Sequence, residues 1–236
     1  MALIKNENNR KTFLEIKDYS ICQVSSQEVS GWEKITTTDR DGKQYTKYVN
    51  RFRTVDGHIT GIEYIKRTLP GTNTELASWK ISLHDRDADE RYVLTFPATS
   101  PASSRFLKLA ENINPDQAVE FAAWKDTQDA KPKLAFMVKQ DGKNVPQKYS
   151  IKEIEIGDKK VVALVNAEDP ENPDAPKLHV RRNGDKDWSE IEDFLFERME
   201  SVVAPRFANN DVAPAAEPHY LTDIGNDSES TDEIPF

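Results

Sequence analysis

The segment ELASWKISLHDRDADERYVLTF, residues 75–96, contains two runs of alternating apolar and polar residues around a polar turn at residues 85–90. The apolar residues of the two runs occupy every second position: Ala77, Trp79, Ile81, Leu83, Tyr92, Leu94 and Phe96. Because successive strand side chains point to opposite faces, each run predicts a β-strand with one buried face. Trp79 lies on the apolar face and is expected in the core.

The same β pattern extends over most of residues 12–166. Further strands are predicted over residues 45–55, 59–68, 118–125, 133–140 and 161–165. Asp56-Gly57-His58 predicts a hairpin turn between two of them, because Asp-Gly accepts positive φ. Two helices are predicted. Pro101–Ile113 begins with a proline and carries an apolar stripe, and Trp188–Val203 carries another.

The composition limits the class of protein. The chain has 236 residues and a formal net charge of −9, and it is long enough for a substantial core. No apolar run approaches the roughly 20 residues of a membrane helix, and MALIKNENNRK at the N-terminus lacks the apolar centre of a secretory signal. With Cys22 as its one cysteine, the chain has no internal disulfide and no thiolate zinc cluster. We expect a cytoplasmic protein without membrane contact.

The negative charge is unevenly distributed. Residues 206–236 hold seven acidic residues and one basic residue, Arg206, whereas residues 34–67 hold eight basic and four acidic residues. The average therefore hides an acidic tail on a locally basic body. Residues 206–236 are predicted to be disordered, and the proline-rich acidic segment AEDPENPDAP, residues 167–176, predicts a loop or linker.

Signatures of catalysis are missing from the sequence. The four histidines form no HExxH pair, and neither a nucleophile elbow nor a phosphate-binding glycine loop occurs. Asp85, Asp87 and Asp89 resemble the start of a calcium loop, but Glu90 stands where that loop needs glycine. We expect no enzymatic activity, no cofactor and no bound metal.

Basic and aromatic residues interleave between residues 32 and 67, the combination that binds nucleic-acid single strands by stacking on bases and contacting phosphates. The stacking candidates are Trp32, Tyr48, Phe52 and Tyr64, and the phosphate candidates are Lys34, Lys47, Arg51, Arg53, Lys66 and Arg67. Strand aromatics commonly belong to a core, so burial stays open for Tyr48, Phe52 and Tyr64.

The chain ends in Asp232-Glu233-Ile234-Pro235-Phe236 on the acidic tether. Phe236 can fill an apolar pocket, its terminal carboxylate can meet a basic residue, and Pro235 limits the entropy lost on docking. This ending resembles the acidic Ile-Pro-Phe tip of bacterial single-stranded DNA-binding proteins, and the order of β-rich body, acidic tether and tip is similar to theirs. The longer body and the tether without Gly/Gln richness suit a divergent phage-encoded relative.

The resemblance implies a mainly β fold built on an oligonucleotide-binding (OB) five-stranded barrel with one helix, extra β elements, a C-terminal helix and a disordered acidic tail. It implies binding of single-stranded DNA in replication, recombination and repair, with the tip Asp232, Glu233, Ile234, Pro235 and Phe236 recruiting partner enzymes. A homo-oligomer is compatible with this family, and the setting would be the cytoplasm of a bacterial or phage-infected cell.

The expected organisation has four parts: a DNA-binding domain over residues 1–166, a linker over 167–187, an amphipathic helix over 188–205 and the tail over 206–236. Two alternatives stay open. The chain could be a protein-only scaffold acting through its tip and C-terminal helix, or a metal-dependent nuclease using Asp85, Asp87 and Glu90.

Overall fold

The computed structural model describes residues 11–38, 42, 44–68, 74–156, 159–169, 176–177, 179–180 and 186–208. They form a mainly β protein with two α-helices, as predicted. The strands up to the first helix are β1 (Lys11–Lys17), β2 (Ser20–Ser25), β3 (Glu33–Thr38), β4 (Gln44–Phe52), β5 (Thr54–Thr68), β6 (Glu75–Asp85) and β7 (Glu90–Pro97). The later strands are β8 (Val119–Asp126), β9 (Lys133–Gln140), β10 (Lys143–Asn144), β11 (Tyr149–Ile156), β12 (Lys159–Asn166), β13 (His179–Val180) and β14 (Lys186–Asp187). The helices are α1 (Pro101–Leu109) and α2 (Ser189–Arg198).

Ten strands join in one hydrogen-bonded sheet, in the order β10-β9-β8-β5-β6-β7-β1-β2-β4-β3. The described residues thus form a larger sheet than the expected five-stranded barrel. The N-terminal strands are the reason: β1 pairs in parallel with β7 and brings β2, β4 and β3 into the same sheet. The pairs β11–β12 and β13–β14 stand outside it, and the second lies within the segment predicted as a linker.

Strand β5 changes its partner along its length. Thr54–Gly57 pairs with β8, and His58–Thr68 pairs with β6. The hairpin predicted at Asp56-Gly57-His58 is therefore wrong, because the strand runs straight through these residues. Gly57 instead permits a close approach: its φ is +153°, and a Cβ there would lie 3.1 Å from the carbonyl carbon and oxygen of His84.

The core is centred on four phenylalanines from three strands and one helix. Phe96 of β7 packs against Phe106 of α1 and Phe136 of β9, each with ring centres 5.8 Å apart. Phe121 of β8 completes the group, 6.0 Å from Phe106. All four are essentially buried, as is Trp79, which confirms its predicted core position.

Helix α2 continues as a π-helical turn over Met199–Val203 and a 3-10 turn over Ala204–Phe207. Buried apolar side chains recur at every fourth position: Ile191, Leu195, Met199, Val203 and Phe207. In an α-helix of 3.6 residues per turn such a series drifts by about 40° per step, and the wider π turn compensates for this drift.

The predicted disordered tail, residues 206–236, includes Phe207, but Phe207 is fully buried in the structure. Residues 209–236 lie outside the described residues. Within the described ranges, no helix has the length and apolar character needed to cross a membrane.

Glu111 fastens the helical C-terminal segment to the body. It follows α1, and its side chain is only 5% exposed. Arg198 donates to it through Nε (2.7 Å) and Nη2 (2.8 Å), and the Tyr149 hydroxyl donates at 2.7 Å. Burial alone would raise the pKa of Glu111, but the hydrogen bonds from Arg198 and Tyr149 outweigh it and lower this pKa. Burial and the bond to Glu111 raise the pKa of Tyr149 to about 12.

We predict that Gly57→Ala lowers the free energy of unfolding by about 1–3 kcal/mol, because the new Cβ strains the backbone and meets His84. Gly61→Ala is the matched control, since its Cβ would lie an ordinary 3.9 Å from the Ser82 side chain. Urea unfolding followed by circular dichroism measures both. Equal stability of the two variants would contradict the role assigned to Gly57.

We predict that Glu111→Gln costs about 2 kcal/mol at pH 7, because the part-buried Arg198 guanidinium and the Tyr149 phenol lose their charged acceptor. The pKa of Glu111 is depressed in the folded state, so its stabilisation is present above the ordinary value of 4.5 and is lost as the pH falls through the lower folded value. The difference between wild type and variant should therefore shrink at pH 3.

Urea unfolding at both pH values tests the prediction for Glu111. Glu153→Gln serves as the control, because Glu153 pairs with Lys160 at 3.2 Å on the exposed surface. This control should change stability by less than about 0.5 kcal/mol. A difference between Glu111→Gln and wild type that stayed constant down to pH 3 would refute the assignment.

Candidate nucleic-acid interface

Strand pairing assigns the side chains of the large sheet to two faces, because directly opposed residues point the same way. Leu14 pairs with Leu94, and Ile16 with Ile21; all four are buried, so they define the inner face. The alternate residues define the outer face, which runs across β5 from Gly61 onward, β6, β7, β1, β2, β4 and β3.

The outer face is positively charged. It carries seven basic and three acidic residues: Lys11, Lys17, Lys47, Arg51, Arg67, Lys80 and Arg91 against Glu15, Glu33 and Glu63. This excess sits on a chain whose overall formal charge is −9. A polyanion is attracted to such a local surface regardless of the average charge.

Phe13 lies in the middle of the outer face and is 64% exposed. It is paired with Val93 of β7, and it borders a shallow depression of about 330 Å³ that Lys11 and Val24 also line. Tyr45 on β4 and Leu76 on β6 add exposed apolar surface to the same face. An exposed ring among cations is suited to stacking on a base.

Sequence reasoning missed Phe13, although a signal was present. Leu14 and Ile16 are buried, so period-two alternation places Phe13 on the opposite face, together with Lys11, Glu15 and Lys17. An exposed aromatic beside cations makes Phe13 a candidate for stacking on a base.

The structure places the ten predicted DNA-binding residues at several sites. Lys47, Arg51 and Arg67 belong to the outer face, and Lys34, Tyr48 and Phe52 to the inner face of β3 and β4. The remaining four lie elsewhere: Trp32 is half-buried before β3, exposed Arg53 joins β4 to β5, and Tyr64 and Lys66 lie on the inner face near the end of β5. The spacing did not reveal this division, because neighbouring residues of one strand point to opposite faces.

Arg51 is held by its neighbours. Its Nε donates to Glu33 Oε2 at 2.8 Å, and its Nη1 donates to Ser20 Oγ at 2.9 Å. Nη2 also lies 3.8 Å from an Asp18 carboxylate oxygen. The hydrogen bond to Glu33 raises the pKa of Arg51, so the guanidinium stays charged, but two carboxylates offset its charge.

Tyr64 packs inside an aromatic cluster. Its ring centre lies 5.1 Å from Trp79 and 4.6 Å from Phe196 of α2, edge-on to the latter. Trp79 and Phe196 are themselves 4.9 Å apart. The ring therefore contributes to the attachment of α2, whereas Tyr48 is half-buried without such a ring contact among the described residues.

Strands β3 and β4 form a ribbon that extends beyond the body. From Glu33 to Thr38 and from Gln44 to Lys47 almost every side chain is exposed, on both faces. Lys34 lies opposite Tyr48 on one face, and Ile35 lies opposite Lys47 on the other. The ribbon thus offers a cation beside an apolar side chain on each face.

The acidic tip of the β6–β7 hairpin is a turn held by its own hydrogen bonds. The Asp85 carboxylate accepts from the backbone N–H groups of Asp87 and Ala88, and Glu90 accepts from the Tyr92 hydroxyl. Across the described part of the chain, His, Cys, Asp and Glu side chains form no group of three suited to hold a metal ion. The tip Asp232–Phe236 lies outside the described residues.

Comparison with protein-family models, curated proteins and solved structures finds no match to this chain.

We predict that Tyr64→Ala destabilises the protein by about 2–4 kcal/mol, because it removes a ring from the cluster with Trp79 and Phe196. Tyr48→Ala is the matched control and should cost less than about 1 kcal/mol, since Tyr48 has no such ring contacts. Thermal unfolding of both variants gives the comparison. A larger loss for Tyr48→Ala would reverse the assignment.

Proposed function

We propose that this protein binds single-stranded DNA without sequence preference and without catalysis. The observation that carries the proposal is the outer face, where exposed Phe13 lies among seven basic and three acidic residues. Rings that stack on any base and cations that contact phosphates bind a single strand with little regard to sequence.

The strand order supports an OB-type unit within the larger sheet. Strands β5, β6 and β7 follow one another antiparallel, α1 comes next, and β8 returns to pair with the first residues of β5 before β9. This order resembles that of a five-stranded Greek-key barrel with one helix, a fold that commonly binds oligonucleotides, although β7 pairs with β1 and not with β9 among the described residues. On this proposal, β1 to β4 extend the outer face beyond the unit.

The chemistry favours a single strand over a duplex. Bases of a single strand are free to stack on Phe13, whereas those of a duplex are already stacked on each other. Phosphates contacted by Lys11, Lys17 and Lys47 release counterions, so the affinity should fall steeply with salt. We also propose that Asp232–Phe236 recruits replication and repair proteins to the bound DNA.

We predict that the full-length protein binds a fluorescein-labelled oligo-dT, longer than the roughly 4–16 nucleotides that one OB fold covers, with an affinity that falls steeply between about 50 and 200 mM salt. Phe13→Ala should weaken this binding by roughly 5- to 150-fold, the equivalent of about 1–3 kcal/mol of stacking on one base. Fluorescence anisotropy measures both.

Trp188→Ala is the control for Phe13→Ala, because it removes an exposed aromatic just before α2, away from the outer face. It should leave oligo-dT binding unchanged, and a duplex of matched length should bind the wild type weakly. Absence of oligo-dT binding at low salt would overturn the proposed function. Equal effects of the two substitutions would overturn the role of Phe13.

A further inference from the structure

A second large surface depression, which we call the α2 groove, lies on the inner-face side of the β5 and β6 ends. It has a volume of about 870 Å³ and lies between these strand ends, α1, β11 and α2. Its apolar lining includes Tyr64, Leu107, Ile151, Trp188, Leu195 and Phe196. Volume and lining are in the range of sites that bind ligands.

One wall of the α2 groove is acidic. Glu192, Asp193, Glu197 and Glu200 of α2 and its π turn line it, and all four are exposed. None of the four has an ion-pair partner among the residues that the structure describes. The one basic residue of α2, Arg198, is turned to Glu111 and does not offset them.

The opposite wall carries the groove's two lysines. Lys66 pairs with Glu75 at 3.5 Å. Lys108 of α1 is half-buried, and burial lowers its pKa. The four unpaired carboxylates therefore dominate the side formed by α2, and a ligand there meets negative charge beside an apolar floor.

We propose that the α2 groove binds a basic segment of another protein, which inserts a bulky apolar side chain between Trp188 and the floor and directs Lys or Arg side chains toward Glu192, Glu197 and Glu200. Charge complementarity identifies this occupant: phosphates, and equally the acidic residues 209–236 of this chain, would meet four carboxylates. Exposed carboxylates attract a cationic partner, and the apolar surface beside them orients it.

The α2 groove and the outer face are on opposite sides of the same strands. Tyr64, Lys66 and Ala77 line the groove from the inner face, whereas Glu63, Ile65 and Arg67 of β5 point to the outer face. A partner in the groove would thus leave the outer face uncovered. The proposal is independent of the proposed function, and each can fail without the other.

The test uses the full-length protein and a fluorescein-labelled amphipathic peptide of Leu, Lys and Arg with one Trp, titrated by anisotropy. We expect salt-sensitive binding that the double variant Glu192→Lys/Glu200→Lys weakens at least tenfold. The matched control Asp116→Lys/Glu155→Lys makes the same charge change at exposed positions outside the groove and should leave the affinity within about twofold. Equal loss in both double variants would show general charge attraction and overturn the proposal.

A steric pair of variants separates the groove from its charge. Ser104→Trp fills the groove from α1 and should abolish peptide binding, whereas Arg105→Trp on the same helix, outside the lining, should not. Oligo-dT, titrated without the peptide, should bind Ser104→Trp as it binds the wild type, which keeps this test separate from that of the proposed function. Tighter binding of a peptide with Glu in place of Lys and Arg would refute the proposal. Self-association of the wild type that Ser104→Trp abolishes would also refute it, in favour of a second copy of this chain.

Discussion

The close approach of Gly57 to the His84 backbone is the constraint on which the rest of the structure depends. Because no Cβ separates these backbones, β5 can leave β8 and continue along β6 without a break. That change of partner curls the sheet, so that β7, α1, β8 and β9 enclose Phe96, Phe106, Phe121 and Phe136. A single straight pairing along β5 would leave these rings without a common core.

The curl also determines where the two proposed binding surfaces lie. Beyond the core, the last residues of β5 still alternate, so Arg67 joins the cationic outer face while Tyr64 and Lys66 turn to α1 and α2. Glu111 and the Tyr64–Trp79–Phe196 cluster help to hold helix α2 at that position. One strand thereby separates a surface suited to phosphates from a groove lined by carboxylates.

Local patterns were reliable where a strand or helix follows from its own residues. The alternation at 75–96 predicted β6 and β7, and the proline and stripe at 101–113 predicted the helical segment of α1 and the turn after it. Asp56-Gly57 gave a wrong prediction because its turn signal is local, whereas the conformation of Gly57 depends on His84, which is far away in sequence.

The parallel pairing of β1 with β7 is equally non-local, so the ten-stranded sheet could not be foreseen. Face assignments fail for the same reason: Lys47 and Tyr48 are adjacent in sequence, but only pairing with β2 and β3 shows which faces they occupy.

A net charge of −9 would ordinarily argue against binding a polyanion, but the distribution of charges is compatible with the proposed function. Cations dominate the outer face around Phe13, while unpaired carboxylates gather on the α2 wall, on the inner-face side of the same strands. At physiological salt, charges separated by more than about 8 Å are largely screened from one another, so each surface acts through its own residues. On the proposed function, carboxylates away from the outer face repel a strand that approaches elsewhere and favour its binding at the outer face, where Phe13 and the cations coincide. The acidity of the chain thus contributes to the selectivity of the proposed site.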